Sequence, residues 1–176
     1  MLKTNTNLII RTLLVTACII VSSMLSANAQ QPSPYPKVTG YVAVLNPIGS
    51  WSKHGFTDNF STVYTIGFPF GINILKSEHF GVSFELVPFI HTSHGISKVN
   101  SVLFHPGAMF RFSHGFTFIA RAAFETSGRF GFTPVVNQVL LKGKNMNLYA
   151  ALPVPFRFGN GQPASLGGGL QVGIGF

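Results

Sequence analysis

Cysteine is almost missing from these 176 residues: Cys18 is the only one. Beyond the first two dozen residues the chain therefore has no disulfide framework, no thiol nucleophile and no cysteine metal site. Acidic residues are nearly as scarce, at four, and charged residues make up 9% of the chain. A typical soluble domain carries about 25%. Tryptophan occurs once. After residue 30 no apolar run approaches the roughly 20 residues that a membrane-spanning helix needs. Abundance lies elsewhere, in 18 phenylalanines and 19 glycines.

The first 29 residues have the layout of an export signal. Lys3 and Arg11 precede an apolar run from Thr12 to Leu25, and Ala27-Asn28-Ala29 supplies a small-residue cleavage site. Val15-Thr16-Ala17-Cys18 resembles a lipobox, but the apolar run continues past Cys18 and Ala29 is the better boundary. Segment 1–29 is thus expected to be a cleaved signal peptide. Residues 30–37, "QQPSPYPK", are expected to form a Pro-rich tether on the periplasmic side. Without Lys3 and Arg11, ten basic residues face Asp58, Glu78, Glu85 and Glu125, a net charge of +6. A basic excess can mark a nucleic-acid binder, but an exported chain meets lipopolysaccharide and phospholipid headgroups instead. No nucleic-acid partner is expected.

From residue 38 onward the pattern has the period of a strand, and no stripe has the period of a helix. Eight strands are expected: Val38 to Asn46, Ser61 to Leu75, Phe80 to Thr92, Ser101 to Phe112, Phe116 to Thr126, Thr133 to Leu141, Met146 to Phe158, and a last one after "GNGQP". In the second, Tyr64, Ile66, Phe68, Phe70, Ile72 and Ile74 share one face, opposite Thr65, Gly67, Gly71 and Asn73. In the fifth, Phe116, Phe118, Ala120, Ala122 and Phe124 oppose Thr117, Arg121 and Glu125. The glycine-rich second face is too small to coat a soluble protein. It suits the narrow interior of an eight-stranded ring, with the aromatic face turned to lipid. Ring closure also pairs every backbone group, which an open sheet in hydrocarbon cannot do.

The expected fold class is therefore all-β, an eight-stranded antiparallel up-and-down transmembrane β-barrel over residues 38–176. Pro69, Pro88, Pro106, Pro153 and Pro155 cannot donate to a ladder, and bulges or distorted pairing are expected there.

The last strand, with Leu170, Val172, Ile174 and Phe176 on one parity, resembles the terminal targeting strand of bacterial outer-membrane β-barrel proteins. The resemblance implies that the barrel-assembly machinery reads those four residues and that the protein resides in the Gram-negative outer membrane, among its lipid and lipopolysaccharide. With both ends periplasmic, "KSEH", "SHG" and "KGKN" are periplasmic turns. Pro47–Phe60, Ser93–Asn100, Ser127–Phe132 and Gly159–Pro163 are then extracellular connections.

Five charges fall on the expected inner face: Glu85, Arg111, Arg121, Glu125 and Arg157. A buried charge needs a partner, so an ion-pair network plugging the lumen is the expectation. In "IHTSHGISKVN", His91 and Ser93 share a face, as a base and nucleophile do. Counting from the "SHG" turn sets Glu125 opposite about Leu103. A matching count sets His91 opposite about Val102, which would let Glu125 orient His91. The H-x-S core is similar to the active-site segment of the outer-membrane lipid A deacylases. That family has Asn after the Ser and Glu near position 105, where this chain has His94 and His105.

His91, His94 and His105 could form a loose metal site, but their spacing matches no ligand motif, and no metal is expected. "GNGQPASLGGG" lacks the Lys-Ser/Thr and helix of a phosphate loop, and no cofactor is expected. The function expected is an outer-membrane barrel with a structural or surface-binding role. A lipid A ester hydrolase using Ser93, His91 and Glu125 is the first alternative, and a narrow porin-like pore for small solutes the second.

Overall fold

The computed structural model describes residues 34–176. The expected signal peptide and the first residues of the tether lie outside the described residues. Among the described residues no helix is long and apolar enough to cross a membrane.

Twelve strands follow one another: β1 (Lys37–Ser52), β2 (Gly55–Asp58), β3 (Tyr64–Gly67), β4 (Phe70–Leu75), β5 (Phe80–Ser93), β6 (Ile96–Phe104), β7 (Gly107–Arg111), β8 (Phe116–Glu125), β9 (Phe130–Lys142), β10 (Asn147–Pro153), β11 (Phe156–Phe158) and β12 (Ser165–Gly175). All pair antiparallel in one up-and-down sheet. β12 pairs with β1 from Tyr41 opposite Gly175 to Ser52 opposite Ser165, which joins the last strand to the first.

The twelve strands occupy eight positions around this ring: β2, β3 and β4 share one beside β1, and β6 with β7 and β10 with β11 share two more, three of these breaks falling at proline. Pro69 separates β3 from β4, Pro106 separates β6 from β7, and Pro155 separates β10 from β11. A proline lacks the N–H, but its carbonyl still accepts. The pairing is carried across each break in that way: Ala43 N–H donates to Pro69 O at 2.8 Å, Ala122 N–H to Pro106 O at 2.8 Å, and Gly167 N–H to Pro155 O at 2.8 Å.

Several connections are shorter than the sequence pattern suggests. β1 runs on to Ser52 and turns back through β2, with Trp51 opposite Phe56. β5 and β6 pair as far as Ser93 opposite Ile96, so most of the stretch 93–100 is ladder. β9 begins at Phe130, before the expected start at Thr133. The ring thus has a turn end, at 76–79, 113–115 and 143–146, and a hairpin end, at 53–54, 94–95, 126–129 and 159–164.

The inner face is more apolar than the picture of small polar residues implies. Tyr41, Leu75, Met109, Ile119, Val135, Tyr149 and Ala151 form one buried cluster, and Leu45, Val87, Leu103 and Ala123 form a second. Tyr35, expected in the tether, packs against the first. The rings of Tyr41 and Tyr149 meet edge-on, with centroids 6.2 Å apart. Gly173 makes room for the Tyr149 ring: a Cβ there would lie 2.6 Å from the Tyr149 hydroxyl and 2.7 Å from Ala43 Cβ. Side chains fill the interior of so narrow a ring.

The outer face is the reverse of a soluble protein's. Fifteen of the 18 phenylalanines are exposed, while Glu85, Arg121, Arg157 and His105 are buried.

Candidate functional site in the lumen

The alternation of β5 and β8 turns Glu85 and Arg121 inward, level with a polar belt between the two apolar clusters. Arg121 Nη1 lies 3.6 Å from Glu85 Oε1, and His105 Nδ1 lies 2.9 Å from the same oxygen. Tyr41 donates its hydroxyl to Glu85 Oε2 at 2.8 Å. Arg121 also donates to the Tyr41 hydroxyl and to Ser83 Oγ, both at 3.1 Å, and to the His105 carbonyl at 2.9 Å. The guanidinium is thereby held by β1, β5 and the break between β6 and β7, and the carboxylate by three partners. His105 Nε2 is buried with no hydrogen-bond partner among the described residues.

A second ion pair lies toward the hairpin end. Arg157 Nε donates to Glu125 Oε1 at 2.7 Å, and its Nη1 to Thr133 Oγ1 at 2.9 Å. Ser127 Oγ donates to the other Glu125 oxygen at 2.9 Å. Arg129 ties this end together, donating to the carbonyls of Arg157 and Pro163 and to Ser165 Oγ.

The five charges expected to form one network therefore fall into two pairs and a bystander. Arg111 sits at the turn end, where its Nη1 donates to the Glu78 carbonyl at 3.1 Å. Arg111 is the last residue of β7 before the 113–115 turn, so alternation turns it inward but position leaves it at the rim.

The belt divides the interior. A cavity of about 310 Å³ opens at the turn end and reaches down to Tyr41, Arg121 and Gln171. A chamber of about 60 Å³ lies beyond, walled by Leu45, Phe89, Leu103, His105 and Arg157. A third space of about 460 Å³ opens at the hairpin end above Glu125, Arg129 and Arg157.

The structure places the three candidates for ester hydrolysis in a register that differs in part from the sequence count. Glu125 pairs opposite Leu103, as the hairpin count expects. His91 does not pair near Val102: it stands opposite Lys98, and Pro88 stands opposite Val102. The cause is the ladder through 93–100, together with a register shift between Phe89 and Ile90. His91 lies four residues farther toward the hairpin tip than Val87, the residue opposite Leu103. Ser93 Oγ is 2.9 Å from His94 Nδ1, and Glu125 is engaged by Arg157 and Ser127. His91 and Glu125 both line the hairpin-end space, while Ser93 is at the tip. Among the described residues, no group of three or more His, Cys, Asp or Glu side chains is placed to hold a metal ion.

Of the terminal-strand residues, Leu170, Val172, Ile174 and Phe176 are all exposed on the outer face. Phe176 exchanges backbone hydrogen bonds with Gly40, at 2.8 and 2.9 Å, and its ring occupies the space a Gly40 Cβ would need.

Sequence reasoning missed Tyr41 and Ser83 as members of the belt. Their parity was the available signal: Tyr41 alternates with outward Val42 and Val44, and Ser83 shares its face with Glu85.

No family model matches this sequence, and neither does any curated protein. Among solved structures it resembles the solution NMR structure of the de novo designed TMB2.3, with a TM-score of 0.45 and 13% identity over 84% of this chain and 97% of that one.

Proposed function

We propose that this chain is an integral outer-membrane β-barrel of eight staves, with a plugged lumen and a structural or surface-binding role. The observation that carries it is the inverted sheet: aromatic and aliphatic side chains exposed all around the ring, and charges paired inside. Exposed apolar area in water is unfavourable by about 25 cal/mol per Å², and soluble monomers rarely expose contiguous apolar patches beyond a few hundred Å². Hydrocarbon removes that penalty. Trp51 and Phe56, with ring centroids 4.6 Å apart, suit the interfacial girdle of such a barrel.

Lipid and lipopolysaccharide are the partners this surface would meet, and the barrel-assembly machinery would read Leu170, Val172, Ile174 and Phe176. The belt argues against a solute pore. The bonds that Ser93 and Glu125 make elsewhere argue against the hydrolase.

Membrane fractionation and heat-modifiable gel mobility test the reading together. The protein should be recovered from the outer membrane and should migrate faster unboiled than boiled. Recovery in the soluble periplasm would sink the proposal. Planar bilayers should stay silent on addition of the folded protein, and steady single-channel steps would favour the pore.

A further inference from the structure

The turn-end cavity is chemically one-sided. Lys37, Arg111 and Lys144 line it, and no acidic side chain does. Among the described residues, ion pairs join Glu85 to His105 and Arg121, and Glu125 to Arg157; none reaches Lys37, Arg111 or Lys144. The one anionic group on its lining among the described residues is the terminal carboxylate of Phe176 at the rim, one oxygen of which accepts from the Gly40 N–H.

The walls are built of a second kind of group. Asn73 and Asn147 line the cavity, and the Oδ1 atom of each is buried without a hydrogen-bond partner. Arg111, Thr117 and Asn137 stand side by side across three neighbouring strands, since Thr117 pairs with both of the others. Cations ask for an acceptor-only group. Buried amide oxygens ask for donors, because an unpartnered buried acceptor is unfavourable by about 1–3 kcal/mol. A phosphate ester bearing free hydroxyls supplies both on one molecule. At about 310 Å³ the space lies at the small end of the range for such ligands.

We propose that this cavity binds a phosphorylated, hydroxyl-bearing small group. The phosphate meets Arg111 with Lys37 and Lys144, and the hydroxyls donate to Asn73 and Asn147. The chemistry is shared by a soluble sugar phosphate and by the glycerophosphate head of an anionic lipid, and the cavity is the same whatever lies outside the ring.

The test uses the full chain folded in zwitterionic micelles, with heat-modifiable mobility confirmed first so that misfolding is not scored as weak binding. Glucose 6-phosphate, inorganic phosphate and glucose are titrated while amide chemical shifts are followed. Phosphatidylglycerol is compared with phosphatidylcholine in a parallel series. Saturable shifts at Arg111, Asn137 and Asn147 are expected with glucose 6-phosphate or with phosphatidylglycerol, and whichever saturates names the source. Loss of one charge-assisted hydrogen bond corresponds to about a tenfold to hundredfold weakening, and Arg111→Gln should show it. Lys144→Gln, on an exposed turn, provides a second variant that folds independently of the wall. Asn147→Ala should weaken glucose 6-phosphate and leave inorganic phosphate unchanged. Absence of saturation with both phosphorylated probes overturns the proposal. So does an equal loss in Lys98→Gln, at the opposite end, which would mean diffuse attraction to a basic protein.

Discussion

Arg121 Nη1 and Glu85 Oε1 lie 3.6 Å apart with side chains only 4% exposed, and both are also held by the Tyr41 hydroxyl. Two opposite charges in so dry a place are each other's main compensation. Removing one partner of a buried pair is destabilising by about 3–5 kcal/mol, whereas replacing both by apolar groups is often neutral. Glu85→Gln should therefore lower the denaturant midpoint far more than the double change Glu85→Leu with Arg121→Met. Unfolding from micelles, followed by Trp51 emission, checks this. A double variant less stable than Glu85→Gln alone would mean that the pair acts through its hydrogen bonds and not its charge.

Gly173 lies directly against the Tyr149 ring and Ala43. Added methyl groups in a packed interior are destabilising by about 1–3 kcal/mol, so Gly173→Ala should lower stability by that amount. Gly168, whose Cβ would meet nothing within 4 Å, should accept alanine with little change. The same unfolding assay compares the two, and equal losses would show that backbone freedom matters here and not space.

Phe176 covers Gly40 from the outside, an aromatic ring shielding a glycine in the neighbouring strand. Phe176→Ala should reduce the heat-modifiable, membrane-recovered fraction in cells and slow folding into liposomes in vitro. If only the cellular yield falls, the residue serves recognition by the assembly machinery; if only the in vitro rate falls, it serves closure.

Ser93 is placed at a hairpin tip beside His94, whose φ of 51° puts it in the left-handed region. Incubation of the folded protein with lipopolysaccharide should release no fatty acid above the blank, and Ser93→Ala should match wild type. Release that disappears in Ser93→Ala would restore the hydrolase.

Asp58, in the hairpin extension beyond the ring, accepts from the Phe60 and Ser61 N–H groups at 2.7 and 2.8 Å. These bonds, the Phe60 one foremost, hold its carboxyl below the usual carboxylate range. A group whose folded pKa is depressed stabilises above its unfolded pKa and loses that contribution as pH falls through the folded one. The Phe60 and Ser61 amides should thus lose exchange protection, after correction for intrinsic rates, as pH drops below about 4. Asp58→Asn should flatten that dependence.

The inward turn of Glu85, Arg121 and Arg157 was legible from alternation alone, because side chains on a strand have a period of two whatever the partner strand is. The meeting of Glu125 with Leu103 was legible too, since a short turn at 113–115 sets that register locally. His91 was not: its level depends on where the 93–100 turn falls and on a shift at Phe89, and neither leaves a mark within a single strand.

The sequence by itself determined the strand period, the apolar outer parity and the proline positions, all properties of neighbouring residues. Only the tertiary structure decided which charges pair, that Tyr41 and His105 join the belt, and that Arg111 stays at the rim. Those outcomes rest on register summed around the ring, where a one-residue shift changes every contact across the lumen.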